Sequence, residues 1–161
     1  MSDRSARSAA RLAAVQALYQ MELTGHGAEE TVFEFTEHRF GQEPETGMAG
    51  GIDIAFFGLL VNGVPEHQAE IDAGVSECLS ADWRLSRIDS ILRAVLRAAA
   101  FELIAAGDVP AKVVIDEYVD VAHAFFSGNE PAFVNAALDK LARRKRAPEF
   151  GEAPPDDELQ F

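Results

Sequence analysis

The chain has little of most things that would commit it to a chemistry. It carries one cysteine, Cys78, so no internal disulfide can form, and that agrees with a reducing compartment. No apolar run reaches the ~18 residues that a membrane-spanning helix needs. No apolar stretch follows a basic one at the N-terminus, so a secretory leader is not expected and the cytoplasm is the expected location. Neither a strand-like alternation nor an internal repeat is present; the β-branched run at 113–116 sits inside helical spacing set by Val114, Tyr118, Val121 and Phe125.

Catalytic constellations are missing too. There is no Ser-His-Asp or Cys-His set and no glycine-rich phosphate loop. Asp120 and His123 stand at i,i+3, the spacing of some metal-binding bundles, but His26, His38 and His67 supply no second such helix. A solvated helix face explains the pair, so no enzyme, cofactor or metal is expected.

Bases are scarce: 14 Lys and Arg stand against 27 Asp and Glu, for a net charge of −13. That sum alone would argue against nucleic acid, but the distribution matters more. Residues 1–11 carry +2, residues 12–80 carry −11, residues 81–147 carry +1 and residues 148–161 carry −5. Basic side chains therefore gather on the N-terminal arm, on the block at 83–103 and in the run Arg143-Arg144-Lys145-Arg146. The acidic middle suits a basic partner.

What is present is helix. The spacing predicts a first helix capped by Asp3 or Ser5 and running to about Thr24, with Gly25 just past its end. A second covers Ala28–His38. The stretch 41–51, GQEPETGMAGG, reads as a linker within about 39–51. Ile52–Asn62 forms a short apolar helix that Gly63 ends, and Pro65 opens the next, to about Cys78. The longest helix is expected over Ser86–Ala106. Two more follow, to Phe126 and from Pro131 to about Arg146. The acidic, proline-rich segment 148–161 is expected not to fold. The fold class is all-α, with about seven helices, and a chain of 161 residues can bury one good core or two small bundles sharing an interface.

At 100° per residue the long helix has one apolar stripe: Leu85, Ile88, Ile91, Leu92, Val95, Ala99 and Leu103. Arg93 and Arg97 fall opposite and are expected in solvent. Glu102 falls inside the stripe, so a partner is required, a base or a helix N-terminus. The first helix has two apolar sides, Leu12, Val15, Tyr19 and Leu23 on one and Ala10, Ala14, Ala17, Leu18 and Met21 on the other. A helix apolar nearly all round is buried on most sides. Arg7 and Arg11 share its narrow edge at i,i+4, a placement suited to phosphate contact. In the last helix Phe133, Ala137, Leu138 and Leu141 face inward, and Asn135, Asp139, Arg143 and Arg146 form a polar stripe. Phenylalanine beside arginine has the composition of a base-stacking platform, although composition alone favours core roles for Phe125, Phe126 and Phe133.

Four blocks in order carry a resemblance to a known family. RLAAVQALYQMEL at 11–23, the block WRLSRIDSILRAVLRAAAFEL at 83–103, DVPAKVVIDE at 108–117 and FVNAALDKLA at 133–142 together resemble the NusB family of transcription antitermination factors. The resemblance implies an all-helical fold of two small bundles packed together, near 5–80 and 81–147, forming one domain over 1–147. It implies a factor that pairs with NusE, a small-subunit ribosomal protein, binds single-stranded boxA RNA and helps RNA polymerase resist termination on ribosomal RNA operons. By position it carries an RNA-binding role to Arg7, Arg11, Gln16, Tyr19, Phe125, Phe133 and Asn135. It leaves a homodimer of the free protein open and involves no membrane. The arm has Ser8, Ala9 and Ala10 where the family is richer in arginine, which shifts binding energy towards NusE. The alternative class is a helical interaction module without RNA binding.

Overall fold

A computed structural model of the chain describes residues 3–40 and 51–151. Among these residues every regular element is helical, and the chain divides into two compact units, residues 1–67 and 68–161.

In the first unit, small residues decide the packing. The helix α1, Asp3–Thr24, buries Ala6, Ala10, Ala13, Ala14 and Ala17, and side chains this short let another helix approach closely. That helix is α3, Ile54–Glu66, and α2, Ala28–Glu34, packs on both. The end of α1 is as expected: Gly25 adopts φ +78°, which favours glycine, and donates its N–H to the Met21 carbonyl at 2.8 Å. The second helix does not stay α-helical to His38; it loosens into a π-turn over Phe35–Arg39. That turn aims Phe35 inward, where its ring meets Phe57 at 5.5 Å and Phe40 at 6.0 Å, and Phe40 meets Phe57 at 5.0 Å. Arg39 and Phe40 thus belong to the fold rather than to the linker; the rest of the expected linker, 41–50, lies outside the described residues.

Asp53 starts α3 by accepting the Phe56 N–H at 3.0 Å. Gly63 does not end this helix and Pro65 does not begin the next. The helix continues to Glu66 with Pro65 in its last turn, where the missing proline N–H removes a single ladder bond. Gly63 is buried, so it serves packing. The break falls at His67, and α4, Gln68–Glu77, follows. Because α4 packs against elements later in the chain, the bundle boundary lies near 67 and not near 80.

The second unit contains α4, α5 (Ser90–Ile104), α6 (Ala111–Phe125) and α7 (Glu130–Lys145), with a 3-10 turn at Ala147–Phe150. The longest helix is α1, with 22 residues, and not α5, with 15. Residues 79–89 are turns and bends, because Asp89 takes the capping position: its Oδ1 accepts the N–H groups of Ile91 at 2.8 Å and Leu92 at 3.1 Å. The expected apolar stripe is buried except at Ile91, which is half-buried, and its first two residues, Leu85 and Ile88, lie on the turn before α5. The opposite face is not in solvent. Arg93 is buried and donates to the carbonyls of Leu85 at 2.9 Å and Ile88 at 3.0 Å. Arg97 makes a two-pronged pair with Asp72 of α4 at 2.9 and 3.0 Å. The turn before α5 covers one arginine and α4 the other, and neither is visible from a single helix.

Glu102 is 1% exposed. One partner of the Glu102 carboxylate is the Tyr118 hydroxyl, which donates to it at 2.6 Å across α5 and α6. Arg146 also leaves its expected polar stripe. It donates to the carbonyls of Leu103 and Glu102 at 2.9 Å and of Val109 at 3.0 Å, and pairs with Glu149 at 2.6 Å. Carbonyls at the end of α5, which lack partners within their own helix, are thereby satisfied. Glu149 in turn accepts the Ala111 N–H at 2.9 Å, at the start of α6. That N–H, and then Arg146, hold its carboxyl below the usual range. This contribution to stability is present above the ordinary carboxylate pKa and is lost as pH falls through the lowered one. The expected unfolded segment therefore starts too early at 148: residues 147–150 are folded, and 152–161 lie outside the described residues.

Candidate nucleic-acid interface

Four of the seven candidate RNA-binding residues lie on α1, in the first unit. Arg7 is 39% exposed at its side chain, sits 3.7 Å from Asp53 and lies over the Phe56 ring at 4.6 Å. Arg11 is over the same ring at 4.9 Å, but it is only 2% exposed. The expected free edge is therefore half covered. α3 lays Phe56 beneath both guanidiniums, and only the arginine nearer the N-terminus keeps access to solvent. Cation–π contact supplies part of what a buried arginine needs. Gln16 is exposed and Tyr19 half-buried on the same helix.

The other three lie in the second unit. Phe125, the last residue of α6, is half-buried, as is Phe126 after it. Phe133 is half-buried and Asn135 exposed on α7. The inward-facing set of α7 holds for Ala137, Leu138 and Leu141, which are buried. Phe133 instead meets Trp83, with ring centroids 5.2 Å apart and planes tilted by 39°. On the polar stripe, Arg143 pairs with Asp139 at 3.0 Å and lies over the Phe150 ring at 4.7 Å, and Arg144 pairs with Glu77 at 3.1 Å. The basic run at 143–146 is thus largely committed to acids and carbonyls of its own unit.

The structure adds residues that the sequence reading passed over. Trp83 is 52% exposed, and Arg84 and Arg87 are exposed on the same turn. Their signal in the sequence is the chain's one tryptophan with two arginines close by, at the start of the block at 83–103. Asp120 and His123 are exposed, and among the described residues no group of three or more His, Cys, Asp or Glu could hold a metal ion. No helix of the described residues is long and apolar enough to cross a membrane.

The exposed groups offer cation, ring and amide edges on a helical scaffold. They provide surface for a ligand. Comparison with known proteins bears on which ligand. The transcription antitermination protein NusB of Maricaulis maris is 54% identical over 144 residues, covering 89% of this chain and 90% of that protein. A crystal form of T. maritima NusB superposes with a TM-score of 0.75 at 27% identity, covering 93% of this chain and 98% of that one. A crystal structure of the antitermination factors NusB and NusE in complex with dsRNA matches with a TM-score of 0.70 at 23% identity, over 84% of this chain and 95% of that one, and supports the fold. The NusB family model matches residues 8–143. By these matches, and by seven α-helices among the described residues in the order that the four sequence blocks implied, the chain belongs to the NusB family.

Proposed function

We propose that the chain is a transcription antitermination factor that binds single-stranded boxA RNA together with NusE and supports transcription of ribosomal RNA. The observation that carries this is the 54% identity, over nearly the full length of both chains, to a transcription antitermination protein. A solved complex of NusB and NusE with dsRNA supplies a precedent for NusE and for RNA as a class of partner. The role is one of binding, in the cytoplasm and within the RNA polymerase antitermination complex, with no reaction catalysed.

Charge divides the work. With a net charge of −13, this chain attracts a basic ribosomal protein more readily than it attracts a polyanion. Of the candidate residues, Arg7, Gln16 and Asn135 are accessible to RNA, and Tyr19, Phe125 and Phe133 offer partly open rings. Arg11 contributes through Phe56 by holding α1 and α3 in register. Few phosphate contacts by this chain alone mean a shallow dependence on salt.

Fluorescence anisotropy of a short labelled boxA-like RNA tests the reading, with and without NusE, at low and moderate salt. Binding that tightens when NusE is added is expected. RNA binding in neither condition would leave only a helical interaction module.

A further inference from the structure

The turn at 79–89 has features that its own fold does not require. Leu85 and Ile88 are its buried anchors. Arg93 grips the carbonyls of those two residues and also donates to the Ser90 hydroxyl at 3.1 Å. Trp83 donates its backbone N–H to the Ser80 carbonyl at 3.0 Å, and Arg84 accepts at its carbonyl from Arg87 and Ile88. The backbone is therefore fixed from inside, and its outward side chains are presented in a set arrangement.

Those side chains are unusual for this chain. Trp83 rests against Phe133 but leaves half of its surface open. Neither the Arg84 nor the Arg87 guanidinium has a hydrogen bond or ion pair among the described residues. Several other arginines are engaged with an acid or with carbonyls: Arg7 with Asp53, Arg39 with Glu34, Arg97 with Asp72, Arg144 with Glu77, and Arg93 and Arg146 with carbonyls. Two unengaged cations beside an open indole are conspicuous where acids outnumber bases 27 to 14. Of the acids in the segment, Asp89 is occupied capping α5, which leaves Asp82. Arg84 also lines a cavity of about 440 Å³. Its polar walls include Ser76, Ser80 and Ser86, hydroxyls that can donate to a ribose or phosphate oxygen.

We propose that Trp83, Arg84 and Arg87 form a nucleotide-binding platform for single-stranded RNA, with a base stacked on Trp83 and the backbone phosphates met by the two arginines. This inference rests on the RNA-binding reading above and adds to it a place on the second unit. An indole takes any base on its face, so the contact is tolerant of sequence. Its support by Phe133 keeps the ring from rotating away, which lowers the entropic cost of capture. The two cations add a salt-dependent attraction that Trp83 alone would lack.

The chain's one tryptophan reports on its own occupancy. Unlabelled boxA-like RNA is titrated into the full chain with NusE present. Trp83 emission is read after subtraction of NusE alone, and anisotropy of the labelled RNA is followed in parallel. Quenching of Trp83 with the same midpoint as the anisotropy change is expected. Arg84→Ala with Arg87→Ala should reduce the slope of log affinity against log salt by about 1.4 in total. Trp83→Ala should weaken binding about tenfold, and Trp83→Phe, which keeps a ring on Phe133, should restore most of it. RNA that binds without changing Trp83 emission would overturn the platform and leave the proposed function standing. Emission that shifts on adding NusE, with no further change on adding RNA, would assign Trp83 to the protein partner instead and equally overturn it. An absence of any RNA binding would sink both readings together.

Discussion

Two pairs of arginines, one in each unit, look alike as text. Arg7 and Arg11 stand one helical turn apart on α1, and Arg84 and Arg87 stand three residues apart on the turn before α5. The first pair has the better sequence case for meeting phosphate, since it marks the one polar edge of an otherwise apolar helix. Yet both of its guanidiniums lie over Phe56, and Arg11 is buried there. Of the second pair, Arg87 falls inside the expected helix Ser86–Ala106 and Arg84 just before it, but both stand on a turn outside α5 and stay exposed. A helical wheel gives the direction of a side chain from its own axis. It carries no information on what another segment lays over that direction, and that is what separates the two pairs.

The comparison sharpens if arginines divide by what their loss costs. The largest effect is expected at Arg93. Replacing it with alanine removes the charge-assisted hydrogen bonds to the carbonyls of Leu85 and Ile88 and to the Ser90 hydroxyl, and leaves the two carbonyls without that donor. The expected cost is about 3 kcal/mol in denaturant unfolding. Because the same bonds hold the turn that carries Trp83, emission from the native variant should also shift towards that of a solvated indole. Unchanged stability would mean that the 79–89 turn holds itself.

Arg11→Ala comes next. A buried cation over an aromatic ring is expected to contribute about 2 kcal/mol, so the variant should melt earlier. RNA affinity, measured where the variant is fully folded, should change little. A variant with wild-type stability and uniformly weaker RNA binding would restore Arg11 to the phosphate role that its spacing suggests and would erase the contrast with Arg84 and Arg87.

How much of this could be read beforehand follows the same physical line. The identity of the helices was legible because period, caps and glycines are local: α1 ends where Gly25 says it does, and α6 and α7 lie within a residue or two of their expected bounds. Errors gathered where one segment acts on another. Asp89 outcompetes the apolar period of Leu85 and Ile88 and starts α5 later. Pro65 is tolerated inside α3 because it falls in the last turn. Arg146 was read as a surface base because its acceptors, Leu103 and Val109, are far from it in the sequence. Glu102 shows the intermediate case: its burial and its need of a partner were legible from the stripe, but its contact with Tyr118, one helix away, was not. The candidate site inherits these limits. Gln16 and Asn135 are exposed, and Trp83, three residues before the expected start of the long helix at Ser86, falls on no helical face whose period could single it out.

The smallest effect on stability is expected at Arg7, and it is the finest test of the comparison. Its contact with Asp53 is long, 3.7 Å, and both side chains are partly exposed, so the pair should contribute less than ~1 kcal/mol. Asp53 keeps its other task, capping α3 through the Phe56 N–H, whether or not Arg7 is present. Arg7→Ala should therefore leave the fold and α3 intact. If Arg7 meets a phosphate, the variant should weaken binding of all RNAs alike and lower the salt slope by about 0.7. Arg7 would then resemble Arg84 and Arg87 in function while sharing an aromatic ring with Arg11. An unchanged slope would place the whole α1 edge on the structural side, with the phosphate contacts of this chain moved to the second unit. Loss on one RNA sequence only would instead make Arg7 a reader of bases, a role that its position over Phe56 gives no reason to expect.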